Sequence, residues 1–169
     1  LPKDTALAFM IVLHAFIAAA GMFIFARITG RSRPAAILSG VVYSTNVFFL
    51  TRIQHTNIFY TLAWAPMPLA CIESMLLRRG EKAAIRAPLA AACAAAILTA
   101  LQPQFAFYCL LAAAVFFLFG VKRHNVPWGR ALVSGALFAV LAIAIAAVQL
   151  IPLFELTKYS ARAPGSGSL

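Results

Sequence analysis

The chain has 169 residues, 63% of them hydrophobic and only 11% charged, with a mean hydropathy of +0.92. Soluble domains are roughly half apolar, so a water-solvated globule is excluded and lipid is the expected solvent. The net charge of +10 does not indicate a nucleic-acid binder, because the 14 basic residues fall in short clusters between apolar runs and build no basic face.

Apolar runs recur along the chain and predict an all-α, polytopic membrane bundle in a single domain, 1–169, with spans at Ala6–Ala26, Ala35–Leu50, Ile58–Leu77, Pro88–Leu101, Gln104–Phe119 and Ala131–Ile151. The first run is too long for a signal-peptide core, lacks a basic segment before it and follows no initiator Met, so the chain reads as an excerpt of a larger protein. His14 lies in mid-span, where an ionisable group is costly; it is either a functional residue or a neutral imidazole bonded within the bundle. In the second span, Tyr43, Ser44, Thr45 and Asn46 form a polar stretch that either lines a cavity or bonds between helices. Pro66 and Pro68 imply a kink or a late helix start in the third span. Glu73, near the end of that span, is expected to snorkel or to pair with Arg78 and Arg79.

The fourth and fifth spans are separated at Pro103, which would remove a backbone hydrogen bond from one long helix. They are short, and a hairpin of such length is expected to stop short of one interface. Splitting the run there puts Arg27, Arg31, Arg33, Arg78, Arg79, Lys82, Arg86, Lys122, Arg123 and Arg130 on one side of the bilayer, with only Lys3, Arg52, Lys158 and Arg162 on the other. The positive-inside rule then faces both termini outward. Small residues (Ala18–Gly21, Ser39–Gly40, Ala90–Ala96, Ser134–Ala136) recur through the spans and favour close helix packing. Cys71, Cys93 and Cys109 lie inside apolar segments with no paired spacing, so neither a disulfide framework nor a metal site is expected. The sequence names no cofactor and leaves a bound lipid or pigment between spans open.

The outward turns carry most of the remaining polarity. Arg52, Gln54, His55 and Asn57 follow the second span, Gln102 and Gln104 flank Pro103, and Glu155, Ser160 and Arg162 follow the last span after Pro152, which is expected to break that helix. Arg52, His55, Gln104, Glu155 and Arg162 are the candidate substrate-binding residues, since Arg suits phosphate while amides and carboxylates suit sugar hydroxyls. The alternative is that these residues cap helix ends and meet headgroups.

Four stretches carry a resemblance: HAFIAAAGMFIFARITGRSRPAAILSGVVYS (His14 to Ser44), TRIQHTNIFYTLAWAPMPLACIESMLLRR (Thr51 to Arg79), LQPQFAFY (Leu101 to Tyr108) and QLIPLFELTKYSAR (Gln149 to Arg162). In this order the chain resembles the bacterial YfhO-type membrane proteins, a family with the GT-C glycosyltransferase fold. The resemblance implies a multi-pass protein of the bacterial cytoplasmic membrane whose parent activity transfers sugar from a polyprenyl-phosphate donor. Where that family tends to have Gly-His-Pro-Gln, this chain has Leu101, Gln102, Pro103 and Gln104, and the family's acidic motif in a first outer loop has no counterpart here. The catalytic residue is therefore unassigned, Asp4 does not inherit the role, and the 169-residue chain alone is expected not to turn over sugar. A non-catalytic helical subunit of a larger membrane complex is the competing expectation. Membrane lipid is the expected partner in either case.

Overall fold

A computed structural model describes residues 3–53, 55–77 and 81–158. Its helices are α1 (Lys3–Ile28), α2 (Arg33–Ser44), α3 (Val47–Thr51), α4 (Thr56–Trp64), α5 (Pro66–Leu77), α6 (Glu81–Leu101), α7 (Pro103–Arg123) and α8 (Trp128–Lys158), and no strand occurs among the described residues. The protein is an all-helical membrane-type bundle. Four segments are long and apolar enough to cross a bilayer unaided: Asp4–Ile28, Arg33–Thr51, Pro103–Arg123 and Trp128–Leu156. With α4–α5 and α6 they make up the six expected segments.

Two segments are broken where the sequence places polar or imino residues. The second span is not one helix: Asn46 caps α3 by accepting from the Phe49 amide at 3.0 Å, while Ser44 and Thr45 turn their hydroxyls back onto the Val41 carbonyl. Their polarity is absorbed locally, as short hydroxyl and amide side chains tend to do at helix ends. The third span breaks at Ala65. Pro66 has no N–H to give the Leu62 carbonyl, which accepts instead from the Ala65 amide at 3.1 Å and from the Tyr43 hydroxyl of α2 at 2.8 Å. Tyr43 thus ties two spans together through a carbonyl that proline deprives of its α-helical donor.

The α6–α7 hairpin does not stop short. Each helix has 21 residues, about 31 Å at 1.5 Å per residue, because helix continues through Glu81–Ala87 and Gly120–Arg123 beyond the apolar runs. The apolar part of α6 alone is short, Ala87–Thr99. That is tolerable because α6 sits at the centre, packed against α4, α5, α7 and α8. Ala91, Ala92, Ala95 and Leu98 are fully or nearly fully buried, and alanine lets four neighbours approach one axis. Gln102 takes the extended backbone that a following proline favours, and Pro103 then starts α7.

The remaining contacts complete the bundle: α1 packs on α2, α4 and α5, and α5 packs on α7. Gly40 permits the α1–α2 contact, since a Cβ there would lie 2.6 Å from the Ala19 carbonyl oxygen. At the last segment, α8 passes straight through Pro152 to Lys158 rather than ending before it. Val148, whose carbonyl loses its donor to Pro152, is 82% exposed, and its position some 30 Å along α8 places it near the bilayer's edge, within reach of water.

Candidate functional site

Polar residues gather at the two ends of the bundle. At one end the turn before α4 meets the α6–α7 hairpin: Asn57 Nδ2 donates to Gln102 Oε1 at 3.0 Å. Gln102 is free to accept because its side chain does not cap α7. This contact puts Arg52, His55 and Asn57 at the same end as residues 102–104, as the split at Pro103 requires. By helix direction the start of α1, with Asp4, and the end of α8, with Glu155, lie at this end too.

The individual candidates are placed as follows. Arg52 caps the C-terminus of α3 and stacks its guanidinium over the Phe48 ring, 5.3 Å from the centroid. His55 precedes α4, accepting the Ile58 and Phe59 amides on its carbonyl while its exposed ring caps nothing. Gln104 is exposed and lies 3.4 Å from the Tyr108 hydroxyl. Glu155 is exposed on α8, and Arg162 and Gln54 lie outside the described residues. His14 is accounted for by the bundle: it is 7% exposed, its Nδ1 pairs with the Met10 carbonyl at 2.8 Å, and its ring stacks on Tyr60 with centroids 4.0 Å apart.

At the opposite end the sequence reading missed a cluster. Glu73 neither snorkels nor reaches water: it is 2% exposed, and it accepts from Arg123 Nη2 at 2.5 Å on Oε2 and lies 3.0 Å from His124 Nε2 on Oε1. Arg78 and Arg79, its expected partners, lie outside the described residues. Both observed partners come from the end of α7, 50 and 51 residues away. His124 Nε2 also faces Arg123, 3.3 Å from Nε and 3.1 Å from Nη2, so the three side chains form one closed cluster. Arg123 also lies over the Phe116 ring, 5.7 Å from the centroid.

Two helix-stop turns set this cluster in place. In α7, Val126 N bonds the Val121 carbonyl and Asn125 N the Lys122 carbonyl, with Asn125 at φ +49°. In α1, Arg31 N bonds the Ala26 carbonyl and Gly30 N the Arg27 carbonyl, with Gly30 at φ +84°. Both are Schellman turns, which use Gly or Asn for the left-handed residue. They deliver His124 and Arg31 to the same groove, about 610 Å³, lined also by Phe25, Thr29, Glu73, Phe116 and Arg123. The signal was present as Gly30 and Asn125 just after apolar periodic runs, each beside a basic residue.

Among the described residues no group of His, Cys, Asp and Glu has the makings of a metal site. Comparison of the chain with protein-family profiles, with curated proteins and with solved structures returns no match.

Proposed function

We propose that this chain is part of a membrane glycosyltransferase that uses a polyprenyl-phosphate-linked sugar, with the donor held at the Gln102 end beside Arg52, His55 and Gln104. The bond between Asn57 and Gln102 carries the reading, because it joins two separate polar turns where an amphipathic donor would leave the bilayer. Stacking on Phe48 keeps the face of Arg52 occupied while its N–H edge remains suited to a phosphate oxygen. The basic asymmetry of the loops would turn this end outward across a bacterial cytoplasmic membrane, with both termini outside. Asp4 and Glu155 are exposed, so neither has the desolvated setting that tunes a catalytic carboxyl; the role assigned to the chain is donor binding, without turnover.

The test is photolabelling of the purified chain in lipid nanodiscs with polyprenyl-phosphate sugars that carry a photoreactive prenyl unit. Saturable adducts within 48–57 or 102–108, reduced by Arg52→Ala and His55→Ala, are expected. Labelling that does not saturate, or that ignores both substitutions, would refute donor binding.

A second reading is a non-catalytic helical subunit in a larger membrane complex. What favours it is α8, the least buried of the four long apolar segments, whose Leu132, Val133, Val140, Ile143 and Val148 are all more than 60% exposed. Failure of the photolabelling combined with a defined hetero-oligomer on mild extraction would select it.

A further inference from the structure

We propose that the groove between α1, α5 and α7 at the Arg123 end binds the phosphate of an anionic phospholipid, gripped by the guanidinium groups of Arg31 and Arg123. The inference is independent of the donor-binding reading, which concerns the other end of the bundle.

Charge comes first. The groove presents Arg31, Arg123 and His124 against one carboxylate, Glu73. Glu73 is already shared between Arg123 and His124, while Arg31 has no carboxylate partner among the described residues. Glu73 contacts Arg123 through Nη2, and Nε and Nη2 both face His124 Nε2, at 3.3 and 3.1 Å; the Arg123 side chain is 52% exposed, and Nη1 is the group it can turn to a ligand. The nearby hydroxyls do not compete for the anion: Thr29 donates to the Ala26 carbonyl and Ser39 to the Ala35 carbonyl. The two arginines are therefore the donors, and paired guanidinium forks match the oxygens of a phosphate.

Depth and shape select a lipid as its source. The groove lies where α1, α5 and α7 all end, at the level of the headgroups for a helix such as α7, whose 21 residues span about 31 Å. Below the cations its wall is apolar, formed by Met22, Phe25, Ile28 and Phe116, with Phe25 of α1 meeting Phe116 of α7 edge-on at 5.6 Å between centroids. A phosphate above with hydrocarbon below is the pattern of a phospholipid, and it gives a free inorganic anion no use for the lower wall. The buried carboxylate separates this groove from a generic interfacial arginine: by fixing Arg123 to α5 it holds one donor in place before any ligand arrives.

The experiment is native mass spectrometry of the full chain released from detergent micelles after titration with phosphatidylglycerol, phosphatidylcholine or inorganic phosphate. One phosphatidylglycerol should be retained per chain in preference to phosphatidylcholine. Arg31→Ala and Arg123→Ala should each weaken retention about tenfold or more, as expected for loss of a hydrogen bond to a charged group. Arg33→Ala and Lys122→Ala, which remove cations from the same end but outside the groove, should change it by less than about twofold. Equal retention of both lipids, equal losses in all four variants, or displacement by inorganic phosphate at matching concentration would overturn the proposal. Because Arg123→Ala also strands Glu73 and can unfold the chain, a second measurement uses the unaltered protein: phosphatidylglycerol with a photoreactive headgroup should label 25–31 or 116–124. Labelling spread over both ends of the bundle would also overturn it.

Discussion

Removing the two partners of the Glu73–Arg123 ion pair should have unequal consequences, because the pair is buried on one side only. Glu73 is 2% exposed, whereas the Arg123 side chain is 52% exposed. Arg123→Ala leaves a buried carboxylate with His124 alone, and stranding a buried charge costs about 3–5 kcal/mol. Glu73→Gln leaves a guanidinium that swings into water or headgroups, and the amide oxygen still accepts one neutral bond, so the loss should be only about 1–2 kcal/mol. Once Glu73 is neutral, Arg123→Ala strands nothing. The double variant should therefore be less destabilised than the two single losses added together, with a coupling of about 1–3 kcal/mol. The assay is reversible unfolding in mixed micelles by increasing dodecyl sulfate, followed by tryptophan fluorescence from Trp64 and Trp128. Equal single losses that add without coupling would refute the account of a buried, oriented carboxylate.

Tyr43→Phe should cost about 1 kcal/mol by removing one of the two donors to the Leu62 carbonyl, and the cost should shrink in a Pro66→Ala background, where the α-helical N–H returns to the same oxygen; an unchanged cost in the same unfolding assay would count against the proline-gap explanation. Gly40→Ala should destabilise by about 1–3 kcal/mol, because its Cβ would press on the Ala19 backbone. Gly129→Ala meets nothing within 4 Å and should stabilise α8 by up to about 1 kcal/mol; a reversed order in midpoint would exclude the close α1–α2 approach. Single cysteines at His55 and Gln104, in a background lacking Cys71, Cys93 and Cys109, should react with an impermeant maleimide from one side of sealed vesicles, and cysteines at Arg31 and Asn125 from the other. Labelling of Gln104 and Asn125 from the same side would rule out the hairpin.

Which residues cross the bilayer, and how often, is written locally. A run of apolar side chains has one cheap environment, and Pro103 cannot sit inside a continuous helix without a lost bond and a clash, so the spans and the hairpin were legible from composition and order. Helix ends were less so. The sequence reading ended spans where apolar residues ended, yet α6 begins at Glu81, α7 runs to Arg123 and α8 passes Pro152, because helix propagation depends on backbone bonding and continues into polar residues beyond the hydrocarbon core. The polar stretch at Tyr43–Asn46 and the mid-span His14 were seen as open alternatives, and contacts with Leu62 and Tyr60 closed them in favour of packing.

The polar turns at the Gln102 end could be nominated from residue type alone, since short loops between spans must lie at an end of the bundle. The Asn57–Gln102 contact could not, because it spans 45 residues of sequence. The same holds more strongly for Glu73. Its own neighbourhood offers Arg78 and Arg79, and local charge pairing favours them. Only the packing of α5 on α7, with Leu76 seated over Gly120, brings Arg123 and His124 to within bonding distance of its carboxylate. Sequence determined the solvent, the spans and the asymmetry of charge, which are sums over single residues; tertiary structure alone decided which charges meet, because an ion pair depends on distance in space and the chain's own order carries that only through its fold.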